Sequence, residues 1–306
     1  MIVRPRPGAL QLFFILRGSI LPQIALKIAF ISLLACVVVA CYENGLLNSL
    51  KGLSAPPFSL LGVALSVFLG FRNSTCYDRW WEARKQWGEL IIQTRSLARE
   101  SQALLVGEQN AALRERLLKR SIAFAYALVA QLRHEDTLAA IRERVSAEEL
   151  ARLQTRRNVP DSLLHWMHQD LAACVQEGRL SDILYPRLAG HLDALGASQA
   201  ICERIKNTPT PFAYSLLLHR TAWLFCLLLP FGLVSSLQLL TPVVVAIIAY
   251  TFFGLDALGD ELEDPFGLAD NDLPLNALVR SLERDVLEVL GEPLPEPLLP
   301  QRYVLN

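Results

Sequence analysis

Residues 52–81 read GLSAPPFSLLGVALSVFLGFRNSTCYDRWW, and their reading decides the fold. No charge occurs from Gly52 to Phe71, a run long enough for one helix to cross the hydrocarbon core of a bilayer. Pro56-Pro57 opens it. Inside it, Val63, Val67 and Phe71 stand at i, i+4 and i+8, which makes one bulky apolar stripe along a helix. Gly62, Ala64, Ser66 and Gly70 are interleaved with the stripe, and small residues let neighbouring helices approach closely. A small face that packs and a bulky stripe that forms a dewetting constriction is what a pore-lining helix requires. By periodicity alone, a surface turned to lipid or to a core fits the stripe better.

Two further runs extend the pattern. From Ile24 to Cys41 the only charge is Lys27, whose stem can snorkel toward the headgroups. From Thr221 to Leu255 there is no charge at all; this is about two bilayer spans, and Ser235, Ser236, Gln238 and Pro242 offer a polar turn in its middle. The expectation is an all-α membrane protein with four transmembrane helices, at about 24–42, 54–71, 212–235 and 238–256. A long cytosolic helical region (72–210) and a tail (257–306) complete one domain over 1–306. Arg4, Arg6, Arg17 and Lys27 flank the first span and Arg72, Arg79, Arg84 and Lys85 follow the second, whereas the loop from Tyr42 to Ala55 has a single Lys. The positive-inside rule then puts both termini and the middle region in the cytoplasm.

The middle region reads as helix. Ile91, Leu97 and Leu104 recur at helical spacing, as do Leu113, Leu117, Ile122 and Phe124. Ser146-Ala147-Glu148-Glu149 is a capping box, and Pro160-Asp161-Ser162 and Ser181-Asp182 read as two more helix starts. The four prolines between Gly291 and Pro300 predict an extended tail.

Composition narrows the function. Of 306 residues, 52% are hydrophobic and only 19% charged, with a mean hydropathy of +0.32. A net charge of −1 argues against nucleic acid as a partner. Cys36, Cys41, Cys76, Cys174, Cys202 and Cys226 show no zinc spacing and read as small hydrophobes. His165 and His168, with Asp161 and Asp170 nearby, could hold a metal, but amphipathic helices produce such pairs by chance. No phosphate loop, dinucleotide fingerprint, G-x-S-x-G or H-E-x-x-H occurs, so neither an enzyme nor a cofactor is expected.

Leu69-Gly70-Phe71, followed at a set distance by Arg79-Trp80-Trp81, resembles the bestrophin family in both identity and spacing. Arg17-Gly18-Ser19 is similar to that family's N-terminal R-G-S, and Pro265-Phe266-Gly267, with acidic residues around it, to the P-F-G after its fourth helix. Pro211, opening the third span, also fits. Tyr77-Asp78 before the tryptophans and Asn271-Asp272-Leu273-Pro274 after P-F-G look like the bacterial branch. The resemblance covers nearly the whole chain in order. It implies a homopentameric ion channel in lipid, with an apolar neck at Val63, Val67 and Phe71 and a second constriction near the cytosolic exit at about Ile183.

The chain also departs from that pattern. Eukaryotic members are calcium-activated anion channels, and by resemblance their calcium clasp would fall at Glu261, Asp264, Asp270, Asn271 and Asp272. Two acidic places of the clasp are Leu268 and Ala269 here, which should weaken or abolish binding of an ion that takes six to eight oxygens. Helix-to-tail capping and ion pairing across subunits suit the segment better. Only one of the three neck levels is aromatic, which removes one feature favouring anions. The expectation leans to small monovalent cations such as sodium, with a chloride or anion channel as the alternative. A secondary transporter would want midplane charges or internal repeats, and only His219 and Arg220, read as lying at the cytoplasmic interface, offer anything toward one.

Overall fold

The structure is a computed structural model, and it describes residues 1–5, 7–12, 14–47 and 56–306. Arg6, the loop residues 48–55, and with them the first two residues of the expected second span, lie outside the described residues. The elements in chain order are α1 (Ala9–Leu12), α2 (Leu21–Glu43), α3 (Pro56–Leu104), α4 (Ala111–Leu132), α5 (Thr137–Ile141), α6 (Ala147–Leu153), α7 (Val159–Gln176), α8 (Tyr185–Asn207), α9 (Phe212–Leu237), α10 (Thr241–Glu263) and α11 (Leu275–Leu290). Among the described residues no strand forms; two isolated bridges, both made by Val304, are the whole of the β structure. The chain is all-α, and it divides into two compact units. One is Arg4–Trp80 with Pro209–Pro265, and the other is Met1–Val3, Trp81–Thr208 and Phe266–Asn306.

The first unit is apolar. Among the described residues, three stretches are long and apolar enough to cross a membrane: Leu21–Glu43, Pro57–Leu104 and Phe212–Glu263. The third contains α9, a short 3-10 turn (Gln238–Leu240) and α10, so the polar residues near 235–242 do mark a turn. Without water, every backbone polar group must be satisfied within the fold, which leaves helix as the economical solution. The few hydroxyls obey the same rule. Ser32, Ser66, Thr221 and Thr251 each donate to the carbonyl four residues back, at 2.8–3.0 Å. Ile24, Ile31, Leu65, Leu69, Phe225 and Phe253 form the buried core, with the Phe225 and Phe252 rings edge to face at 5.1 Å. Gly232 is required there, because a Cβ would lie 2.5 Å from the Phe58 ring.

The second unit carries the charge. Arg120 on α4 is held between Glu149 and Asp170, each at 2.7 Å. Asp136 caps α5, Ser146 and Glu149 form the expected capping box of α6, and Asn158 caps α7. α8 begins at Tyr185, later than the Ser181-Asp182 start signal, because those side chains accept from the Ile183 amide and close a turn instead. Gly291 ends α11 in the left-handed conformation, and residues 292–300 have no regular structure. The chain ends meet: the Val3 amide donates to the Tyr303 carbonyl (2.8 Å) and the Leu305 amide to the Met1 carbonyl (2.9 Å). All six cysteines are free, and burial beside Glu203 and Glu82 pushes the Cys202 thiol up to about 12.

The capping box closes two orphan amides of α6 at once. Ser146→Ala should therefore lower stability by about 1 kcal/mol, seen as a lower thermal midpoint in detergent, while Ser162→Ala, outside any cap, should change it less.

Candidate pore helix and its supports

α3 is one unbroken helix of 49 residues; the expected boundary at residue 72 is not a break, since no Gly or Pro interrupts it there. Its burial pattern within the apolar unit is one-sided. Leu65, Leu69, Arg72 and Cys76 are wholly inside, spaced by three or four residues. Val63, Val67 and Phe71 are 62%, 50% and 63% exposed. At about 100° per residue, these three span some 80° of the helix on the side away from the buried face. Within the single chain the interleaved small residues divide. Gly62 lies against the Phe225 ring, but Ala64, Ser66 and Gly70 are exposed, so within the chain Leu65 and Leu69 make the packing face. Burial of branched bulk outweighs close approach here.

Directly after Phe71 comes a buried ion network that the sequence reading missed. Arg72 donates from Nη1 to the Asp256 carbonyl (3.1 Å) and carboxylate (3.0 Å), and from Nη2 to Asp260 Oδ1 (2.5 Å). Glu263 Oε2 is 3.7 Å from Nη2. The other oxygen of Asp256 lies 2.7 Å from Nδ1 of His219 on α9. His219 is thus a partner of a buried carboxylate and not a bare interfacial residue. The signal was available: Arg72 and Asp256 are the first charges after two uncharged runs, so helices of matching depth bring them level. Removing one partner of such a buried pair costs about 3–5 kcal/mol.

The quoted motifs have structural work. Arg79 reaches the carbonyl of Glu263, the last residue of α10, at 3.4 Å from both Nε and Nη2, where a cation suits a helix C-terminus. Trp80 stacks on Tyr77 at 6.2 Å, and in the other unit the Arg84 guanidinium lies over Trp81 at 4.8 Å. Gly18 takes φ 73°, and Ser19 Oγ accepts from the Leu21 amide to start α2. Pro211 sets the N-terminus of α9, and Thr210 bonds Glu263 through its amide (2.8 Å) and hydroxyl (2.6 Å).

Ile183 belongs to the charged unit, at a turn before α8, and is 80% exposed. The acidic segment is divided. Glu261 accepts from Gln23 at 2.7 Å and Asp264 caps α10, both in the apolar unit. Asp270, Asn271 and Asp272 belong to the charged unit. There Asp272 is buried and accepts from the Ala269 amide at 2.7 Å, and a Cβ on Gly267 would lie 2.5 Å from the same Oδ2. Its charge is met by two cations. Burial pushes both the Met1 ammonium and the Arg133 guanidinium below their ordinary values, and Asp272 draws each partly back up. The candidate metal pair does not converge: His168 turns to Asp193 (3.4 Å), His165 is exposed, and Asp170 is held by Arg116 and Arg120. Among the described residues no group of three metal-ligating side chains comes together.

The family described as Bacterial/Fungal Bestrophin protein matches residues 1–288. The chain belongs to this family. The motif resemblance carried by Leu69-Gly70-Phe71 and Arg79-Trp80-Trp81 is thereby borne out. A voltage-dependent anion channel-forming protein of Mesorhizobium japonicum is 44% identical over all of this chain and 97% of its own length. The voltage-dependent anion channel-forming protein YneE of Escherichia coli is 41% identical over 99% of each. Among solved structures, a bacterial bestrophin homologue from Klebsiella pneumoniae superposes with a TM-score of 0.84 at 38% identity, covering 88% of this chain and 99% of that one.

Gly267→Ala should evict the Asp272 carboxylate from its bond to Ala269 and leave a buried charge unsatisfied. The expected loss is about 1–3 kcal/mol of stability, read by thermal unfolding in detergent; an unchanged midpoint would show that the loop adapts without cost.

Proposed function

We propose that five copies of this chain form a channel across the bacterial inner membrane, each crossing four times, with both termini in the cytoplasm. The observation that carries the reading is the exposed stripe of Val63, Val67 and Phe71, opposite the buried face of Leu65, Leu69 and Arg72. Rings of Val and Phe offer no ligand to replace an ion's hydration shell, so a narrow neck opposes passage until it widens or wets. The names of the relatives support channel activity. The bonds between the two chain ends support termini on one side, and hence an even number of crossings. Ile183, exposed at its turn, is proposed as the second constriction.

The permeant ion is proposed to be a small monovalent cation. Asp78 is exposed, lies on α3 at the same register as the stripe, and has no ion-pair partner among the described residues. Five copies would place a ring of negative charge just beyond the neck. The alternative is an anion channel, favoured by the names of the relatives and by Lys85, seven residues further at that register. Reversal potentials of purified protein in planar bilayers under a salt gradient separate the two. Asp78→Asn should lower the cation-to-anion permeability ratio; a wild-type reversal at the chloride potential would decide for anions.

Asp272 is already bonded to its own loop, and Leu268 and Ala269 bring no side-chain oxygen. Micromolar calcium after EGTA should therefore leave bilayer currents unchanged, and a reversible several-fold activation would overturn that reading. Val67→Ala should widen the neck and raise conductance or open probability. Pentameric Val67→Ala and Phe71→Ala channels that conduct like the parent would move the pore elsewhere.

A further inference from the structure

Phe71 and Arg72 are successive residues of α3, yet one is mostly exposed and the other is wholly buried. What holds Arg72 therefore fixes where Phe71 points. Its guanidinium is a rigid fork, and both prongs are taken: Nη1 by Asp256 and Nη2 by Asp260, one turn apart on α10. Asp256 is held from its other side by His219 on α9. The fit is close. A Cβ on Gly259 would lie 3.1 Å from Arg72 Nη1 and 2.8 Å from Asn73 Oδ1, so the glycine on α10 leaves the space that the guanidinium and the Asn73 amide fill. A lysine could satisfy one carboxylate but not fix the rotation of its helix.

We propose that Arg72 is a positioning residue for the neck, its fork onto Asp256 and Asp260 setting the rotation of α3 and so the reach of the Phe71 ring. This rests on the neck reading above and adds what governs its width. A side chain about 6 Å from the helix axis moves roughly 2 Å when the helix turns by about 20°. Repeated in every subunit around an axis, that motion separates a closed ring of phenylalanines from an open one. The buried network makes the closed setting a discrete state, because an ion pair shielded from water has few alternative arrangements.

The test combines Arg72→Lys and Asp256→Asn with Phe71→Ala in reconstituted protein. With Phe71 present, each lock variant should change conductance or open probability by roughly threefold or more. In the Phe71→Ala background the same changes should shrink toward none, as coupled positions do. Lock variants of parental oligomeric mass that conduct normally, or effects that simply multiply with Phe71→Ala, would overturn the proposal. Asp260→Asn, which frees one prong at a more exposed site, serves if the others do not fold, with the same expectation in smaller measure. Cysteine accessibility separates this proposal from the neck reading. Asp256→Asn should alter the rate at which a polar maleimide labels Phe71→Cys, scored against the unsubstituted parent. A changed rate beside Phe71→Ala currents that match the parent would retain the lock and refute the neck; an unchanged rate refutes the lock.

Discussion

A guanidinium that water cannot reach must find its counter-charges inside the fold, and much of the apolar unit is arranged to supply them for Arg72. Hydrophobic contact between helices is tolerant of rotation and sliding, because apolar surfaces have no preferred register. An ion pair with a planar fork is not tolerant. It requires two carboxylates one turn apart, a helix close enough to present them, and a glycine where the helices nearly touch. Asp256, Asp260 and Gly259 meet those requirements. α2, α9 and α10 then pack through Ile24, Phe225 and Phe253 around an arrangement whose register is electrostatic.

The helices of the apolar unit were legible because uncharged runs of bilayer length admit few structures, and the turn at Gln238 was legible because polar residues cluster there. Local signals such as Ser146 with Glu149 also translated directly, since a cap depends on neighbours in sequence. The pairing of Arg72 with Asp256 was only half legible: as the first charges after two uncharged runs they share a depth, but which helices adjoin, and so the place of His219, is encoded in no local pattern. The partners of the small residues of α3 were not legible either. Gly62, Ala64, Ser66 and Gly70 permit close packing but do not command it, and a chain viewed alone turns Leu65 and Leu69 inward first. Leu69-Gly70-Phe71 and Arg79-Trp80-Trp81 made the family legible, but only the structure gives Arg79 its place at the end of α10.

The loop after α10 shows how one residue can be read in two ways. An acidic cluster beside Pro265-Phe266-Gly267 invites a cation, yet Asp272 is turned onto its own backbone and sits in the space that a glycine leaves empty. A carboxylate committed to an amide is stable without a metal and gains less from acquiring one. Arg133, donating to the Phe266 carbonyl at 3.1 Å and to Asn276 at 2.9 Å, closes the same loop from the other side.

Biogenesis places its own demand on α9 and α10. The insertion machinery sorts segments by hydrophobicity and by basic residues in the flanking loops. Between Thr221 and Leu255 it finds no charge at all, and the linker is a single 3-10 turn in which Gln238 takes φ 47°. On the proposed four crossings, neither helix carries a charged flank at the exposed turn between them, and the basic residues beside the pair are Arg204, Lys206 and Arg220. The two would then enter lipid together, as a hairpin oriented from its open end.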